Sequence, residues 1–163
     1  MDRREFIALV KAFEHAYDDL HAKVRTLGGD AMRFVPNLPD AWSINEHLVH
    51  LLDADCNVVL RIRGAVAEPG RDVPLWDQEA WRAKNNYRSS DGLFCLELAM
   101  SLRKFIAESL RTLGMDCVEA AAVIHPERGR LSIADVLKIY TGHADFHYKY
   151  LVRNLEAYAA ADH

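Results

Sequence analysis

His143 and His147 lie four residues apart within the apolar-periodic segment Leu131–Ala160. Four residues make about one helical turn, so both imidazoles leave the same face of a helix. That face also carries Val136 and Leu151, which makes it a stripe that faces a core. Buried polar rings without partners are costly, and a metal ion is the partner that would use both rings at once. The spacing favours a metal site, although helices also carry such pairs by chance.

The pair does not belong to a zinc-protease motif, because Ala144 stands where that motif has a glutamate. Catalytic zinc-type sites commonly use three protein ligands, so a third one is needed. The predicted second helix offers His47 and His50. At about 100° per residue, His47 lies near the apolar arc of that helix and His50 lies roughly 130° from its centre. Periodicity therefore slightly favours His47 and makes His50 a solvated residue. A metal ligand at the rim of the core, facing a water-filled cleft between helices, would also lie away from the apolar arc, as His50 does. The choice between His47 and His50 therefore stays open.

Two carboxylates flank His50 on the predicted helix. Glu46 comes one turn before His50 and Asp53 nearly one turn after it. Either carboxylate could orient His50 or act as a general base, which makes both candidate catalytic residues. Helix capping by Glu46 and solvation of Asp53 explain the two positions at least as well. The remaining histidines are interpreted as structural or solvated: His15, His21, His125 and His163.

Length and composition predict a single globular domain over residues 1–163, with half of the residues apolar and 27% charged. No apolar run approaches the roughly 20 residues of a membrane span. The start of the chain enters helical periodicity at once and lacks a signal peptide's uncharged segment, so we expect a cytoplasmic protein. A net charge of −4, without a basic stripe, argues against nucleic-acid binding. Three widely spaced cysteines without a CxxC pair predict reduced, mostly buried thiols.

Apolar positions at helical spacing and capping residues predict four long helices and one short helix. The stretch 115–130 is less clear, and Val118–His125 could hide one short strand, but the absence of period-two runs argues against a sheet. We therefore predict an all-α four-helix bundle with a short extra helix between the second and third long helices. The predicted helices run from Arg4 to Leu27, from the cap at Ser43 towards Val66, from about Asp77 to Asn86, from the cap at Ser90-Asp91 to Gly114, and from the cap at Ser132 to Ala160.

The segment Trp42–Asp53 resembles the second-helix signature of the DinB/YfiT-like metalloenzyme superfamily. In that signature a Trp-Ser start is followed, two turns on, by a histidine and a His-Leu-x-Asp-like tail. His125–Asp135 resembles the family's loop into its last helix, and Thr141–His147 resembles its paired-histidine helix. The motifs keep the family's order over nearly the whole chain. Further residues stand where the family often has a tryptophan-rich short helix: Leu75-Trp76-Asp77, Trp81 and Tyr87.

The resemblance implies a ligand set, because in this family the histidine before the Leu-x-Asp tail binds the metal. Carried over, His50, His143 and His147 form a triad of metal ligands. The resemblance also implies a four-helix bundle that is often dimeric, so we expect a homodimer. Imidazoles suit Zn, Ni, Cu and Fe. We favour Zn or Ni as the divalent transition metal, with Fe as a further candidate.

Three neutral imidazoles leave the metal its full charge, so it would lower the pKa of a bound water and polarise a carbonyl or thiol. The expected function is a metal-dependent enzyme of the hydrolase type or of the thiol-dependent transferase or isomerase type, acting on a small molecule. The alternative is a non-catalytic, stress-related binding bundle with a structural metal or none. A lined pocket with an open coordination position favours the enzyme, and a closed fourth protein ligand favours the alternative.

Overall fold

The computed structural model describes residues 1–161, so the expectation for His163, and the end of the predicted domain, lie outside the described residues. Within 1–161 the chain forms eight α-helices and three short β-strands. In chain order these are α1 (Arg3–Glu14), α2 (Asp18–Val24), α3 (Gly29–Arg33), α4 (Ile44–Ala67), β1 (Arg71–Asp72), α5 (Gln78–Lys84), α6 (Gly92–Arg111), α7 (Met115–Ala120), β2 (Ala122–His125), β3 (Gly129–Ser132) and α8 (Ile133–Ala160).

The long helices pack as the predicted four-helix bundle, with α1 and α2 together forming the first member and α4, α6 and α8 the others. The predicted extra helix is α5, between α4 and α6. Two apolar clusters fill the bundle, one around Phe13 and Ile106 and the other around Tyr17 and Leu48. Burial of these apolar faces is the main stabilising term of such a fold. Over the described residues, no helix combines the length and apolarity that crossing a membrane would require.

The prediction of one continuous first helix is wrong, because the chain breaks into α1 and α2 at residues 15–17. His15 closes α1, and its ring nitrogen Nδ1 lies 2.9 Å from the carboxylate of Asp18 in the first turn of α2. Phe13, before the break, and Tyr17, its last residue, are both fully buried. The apolar period of 3.6 residues therefore continues through the break, and a pattern of apolar residues does not reveal it.

A small sheet is present where the sequence argued against one. β2 pairs in parallel with β1 and antiparallel with β3, with Val123 opposite Leu131 and His125 opposite Gly129. Strands of two to four residues are too short to display a period of two. The sheet contributes to the site because β3 ends at Ser132, whose side chain caps α8 together with Asp135. This capping box was predicted, and it fixes where the histidine-bearing helix begins.

A buried ion pair joins the four members of the bundle. Arg103 on α6 donates hydrogen bonds of 2.7 and 3.0 Å to the two carboxylate oxygens of Asp55 on α4. The same guanidinium donates to the Phe13 carbonyl, the Tyr17 hydroxyl and the Tyr140 carbonyl. Asp55 follows His50 by five residues, and Tyr140 precedes His143 by three. The Arg103 guanidinium therefore ties together the two helices that carry the site histidines.

The three cysteines are unpaired, as predicted. Cys95 is buried, Cys117 is half-buried and Cys56 is exposed. The expectation that these thiols are mostly buried therefore holds only for Cys95.

Candidate metal centre

Three imidazoles from two helices meet between α4 and α8. His143 Nε2 lies 3.2 Å from His50 Nε2 and 2.9 Å from His147 Nε2. One ring nitrogen from each of the three residues lies within 4.8 Å of the others. Two nitrogens bound to one tetrahedral zinc ion are ~3.3–3.4 Å apart. The spacing is thus close to that of three ligands around a single ion.

His50 is buried, so its interpretation as a solvated residue from helix periodicity is wrong. Only 1% of its surface is exposed, and all residues from 44 to 51 are buried. The chain from Trp76 to Ser90 covers the face of α4 that looked polar. Trp76 stacks on His50 with ring centroids 5.2 Å apart, and the Asn45 amide donates to the Tyr87 and Ser90 carbonyls. The polar pattern of this helix reflects buried hydrogen bonds and a site rather than solvent.

His47, the other candidate, is also buried but lies behind His147. Its Nδ1 is 3.0 Å from the Nδ1 of His147, the ring nitrogen that does not face His143. If His147 keeps the Nε2 lone pair for a metal, its proton is on Nδ1 and is donated to His47. A ligand histidine commonly donates its second N–H in this way, which fixes its tautomer and orientation. The geometry therefore gives His47 a supporting position and His50 a place in the triad.

This placement predicts that His47→Ala retains metal binding with reduced affinity. Loss of such a hydrogen-bonding partner typically weakens a metal site by about 10- to 100-fold. Competitive titration of the metal-free protein against a chromogenic chelator measures the affinity and the stoichiometry together. One equivalent bound more weakly than by wild type is the expected result. Loss of the whole equivalent from His47→Ala, with His50→Ala unaffected, would reverse the roles of the two residues.

The donor set fits a divalent transition metal. Burial, reinforced by the neighbouring rings, lowers the pKa of His50 to about 3, and burial lowers the pKa of His143 to about 4. Burial also lowers the pKa of His147 strongly. The rings are therefore neutral near pH 7, which is the state that binds metals. In the described part of the chain, the buried Nδ1 atoms of His50 and His143 have no hydrogen-bond partner. Because no protein group donates to these Nδ1 atoms, each ring can carry its proton there and leave Nε2 free to bind a metal.

The two candidate carboxylates make other contacts. Glu46 is buried and accepts hydrogen bonds from the Ser43 backbone and hydroxyl, at 2.9 Å each, and from Arg82 at 3.0 Å. Asp53 accepts a hydrogen bond from the Tyr87 hydroxyl. The hydrogen bonds from Ser43 make Glu46 part of the capping box of α4. Over residues 1–161, neither carboxylate is a hydrogen-bond partner of His50, and a role for either in proton transfer stays a prediction.

A cavity of about 630 Å³ opens beside the triad, and both His50 and His143 line it. Two of its wall residues were given no place in a site from the sequence: Arg61 and His125. Tyr140, which the sequence places on the face of His143 and His147, also lines it. His125 is only 7% exposed at the end of β2, so its placement in a loop is wrong, and of the structural and solvated interpretations the solvated one is excluded. A second cavity of about 320 Å³ reaches His143 and His147 from the side of His47. The triad is therefore accessible to small molecules.

The helical bundle thus brings three imidazoles together beside an open cavity, an arrangement that could hold one metal ion. A family model of the DinB superfamily matches residues 12–151. The match covers most of the chain, and the chain belongs to the DinB superfamily.

Individual relatives agree with this assignment. Two proteins of Oceanobacillus iheyensis, each named "putative metal-dependent hydrolase", are 27% identical over 106 residues and 24% identical over 110 residues. These alignments cover 65% and 66% of this chain but only 60% and 61% of the relatives. The chain thus spans about three fifths of the length of these relatives.

The fold has a close counterpart among solved structures. YfiT from Bacillus subtilis, described as "a probable metal-dependent hydrolase with an unusual four-helix bundle topology", superposes with a TM-score of 0.86. The superposition covers 99% of this chain and 91% of YfiT at 17% sequence identity. At this identity the similarity establishes the fold, and the predicted DinB/YfiT-like bundle is confirmed.

Proposed function

We propose that this protein is a metal-dependent hydrolase that acts on a small molecule, with His50, His143 and His147 as the ligands of one divalent metal ion. The observation that carries the proposal is the convergence of the Nε2 atoms of three neutral imidazoles, two of which, His50 and His143, line an open cavity. The relatives' names point to the same class of reaction. Zn²⁺ or Ni²⁺ is the metal we expect, although imidazole ligands alone do not select them over Cu or Fe.

The three histidines would hold the ion and leave a position open towards the cavity, because no fourth protein ligand joins the cluster among the described residues. When bound, the ion would lower the pKa of a water molecule and polarise a substrate carbonyl. Trp76 and Trp42 pack against His50, with ring centroids 5.2 and 5.3 Å away. These indoles hold the His50 ring in position and keep bulk water from that side of the site.

Tyr140 supplies a hydrogen-bond donor in the cavity wall. Its hydroxyl accepts a hydrogen bond of 2.9 Å from Arg61, which leaves the hydroxyl proton free for a bound molecule. Burial raises the pKa of Tyr140, so the hydroxyl is neutral near pH 7. The ring centroid of Tyr140 is 6.1 Å from that of His143. Because Tyr140 and His143 line the same cavity, we expect this donor to be within reach of a molecule bound there.

Removal and restoration of the metal tests the proposed function. Protein stripped with a chelator is expected to lose hydrolysis of a panel of small esters, lactones and amides, and Zn²⁺ or Ni²⁺ is expected to restore it. Single oxyanion-stabilising or nucleophile-generating groups typically account for at least about a hundredfold in rate. His143→Ala should stay inactive after metal addition. Hydrolysis that survives stripping, or a metal-loaded protein inert towards the whole panel, would contradict the proposal. A turnover that requires an added thiol would identify the transferase type instead.

A further inference from the structure

The large cavity is basic although the chain as a whole carries a net charge of −4. Arg61, Arg128 and Lys138 line it, and Glu127 is the only carboxylate among the described residues that do so. None of these three cations forms an ion pair within residues 1–161. By contrast, Arg82, Arg103 and Arg111 each contact a carboxylate elsewhere in the protein. Among the described residues, the cavity wall therefore sets three cations against one carboxylate.

Arg61 is held in place in the wall of the cavity. It follows His50 by eleven residues on α4, which is about three turns and places the two side chains on the same face. Their Cα atoms are about 16 Å apart along the helix axis. Hydrogen bonds from the guanidinium to the Tyr140 hydroxyl at 2.9 Å and to the Pro74 carbonyl at 3.5 Å orient it. A cation fixed in this way loses little side-chain entropy when it binds an anion.

His125 offers a second oriented donor in the same wall. Its Nδ1 accepts the backbone N–H groups of Glu127 at 3.2 Å and of Arg128 at 3.3 Å. The ring proton is therefore on Nε2, which can donate a hydrogen bond. Burial, together with the nearby charges of Arg61 and Arg128, lowers the pKa of His125, so this neutral tautomer is present near pH 7.

Part of the cavity wall is apolar. The side chains there are those of Trp76, Ile139 and Phe146. Phe146 is 51% exposed, and Trp76 already stacks on His50. Exposed apolar surface beside a binding cavity favours a ligand that carries an apolar portion of its own.

From this arrangement we infer that the protein binds a small molecule with an anionic group at one end, held by Arg61, His125 and Arg128, and an apolar portion that extends towards the triad. A guanidinium with adjacent N–H donors suits carboxylates and phosphates. The inference builds on the proposed function, because it names the substrate class of the same site. It concerns residues that are not metal ligands, so it can be tested without turnover.

Binding of simple probes to metal-free protein tests the inference, because without a metal an anion can gain only from the basic residues. The probes are 3-phenylpropionate, phenyl phosphate and the neutral 3-phenylpropanamide, followed by chemical-shift changes in nuclear magnetic resonance titrations. Wild type is expected to bind at least one anion about tenfold more tightly than the amide, since charge-assisted hydrogen bonds discriminate by that order. The preferred anion identifies a carboxylate or a phosphate as the natural group.

The matched variants are Arg61→Gln and Arg63→Gln, which remove the same charge from the same helix. Arg63 is exposed, lies over the Phe105 ring and does not line the cavity. Arg61→Gln should abolish the preference for the anion, and Arg63→Gln should retain it. Arg128→Gln, at an exposed position, should reduce it and serves as a second test if Arg61→Gln folds poorly. Equal binding of anion and amide by wild type, or equal losses in Arg61→Gln and Arg63→Gln, would overturn the inference.

The two proposals fail separately. If wild type prefers the anion but takes up no metal, the anion site is supported and the proposed hydrolase is contradicted. If wild type takes up one metal but shows no preference for the anion, the metal centre is supported and the anionic substrate is contradicted.

Discussion

Replacing Arg103 with methionine is expected to lower the free energy of unfolding by about 3–5 kcal/mol. The side chains of Arg103 and Asp55 are both fully buried, and two hydrogen bonds join them. Burial raises the pKa of Asp55, while the charge and hydrogen bonds of Arg103 act in the opposite direction. Without the guanidinium, a buried carboxylate must either stay charged and unpaired or take up a proton. The Tyr17 hydroxyl and two backbone carbonyls would also lose their donor.

Urea unfolding of the metal-free protein measures this loss, and Arg111→Met is the matched control. Arg111 lies on the same helix as Arg103 and pairs with Glu14, but its side chain is 34% exposed. Exposed ion pairs contribute about 0–1 kcal/mol, so Arg111→Met should have a small effect. In the double variant Arg103→Met with Asp55→Leu, no charge is left unpaired, and much of the lost stability should return. Similar, small losses for Arg103→Met and Arg111→Met would contradict this role for the buried pair.

Alanine substitution of His50, His143 or His147 is expected to weaken metal binding by more than about a hundredfold. Loss of a group that only supports a ligand already costs about 10- to 100-fold, and a direct ligand contributes more. Wild type should therefore carry about one divalent transition metal per chain, and each of the three variants much less. A ligand that binds only the folded state stabilises it by about 2.7 kcal/mol at a hundred times its dissociation constant. Added Zn²⁺ should accordingly raise the melting temperature of wild type and leave that of the three variants nearly unchanged.

His15→Ala and His21→Ala are the controls for this experiment. His15 is exposed and His21 is half-buried, and they lie near carboxylates of Asp18 and Glu97, respectively. Adventitious zinc at such surface positions would be lost in the control variants and retained in the triad variants. Equal metal content in wild type and all triad variants would contradict the assignment of the ligands.

Local signals in the sequence predicted much of the bundle. The capping boxes at Ser43–Glu46 and Ser132–Asp135 both form, and they begin the two helices that carry the site. Such signals depend on residues three positions apart, which the sequence displays directly. The spacing of His143 and His147 is equally local, and in the structure their Nε2 atoms lie 2.9 Å apart.

Features that depend on distant parts of the chain were not predicted from residue patterns. His50 is buried because Trp76, 26 residues further on, covers it. A helical wheel describes one face against one core, and it fails where a second segment buries the opposite face. Only the family resemblance favoured His50 over His47. His125 likewise enters the cavity wall through pairing of β2 with β3, and those strands are too short to leave a pattern.

The position of the metal in crystals of the zinc-loaded protein tests the central claim most directly. An anomalous difference map at the zinc absorption edge should show one strong peak between α4 and α8. That peak should lie about 2.0–2.1 Å from Nε2 of His50, His143 and His147, with His47 hydrogen-bonded to His147 and not bound to the ion. A peak ligated by His47 in place of His50, or zinc bound elsewhere with the triad empty, would contradict the account.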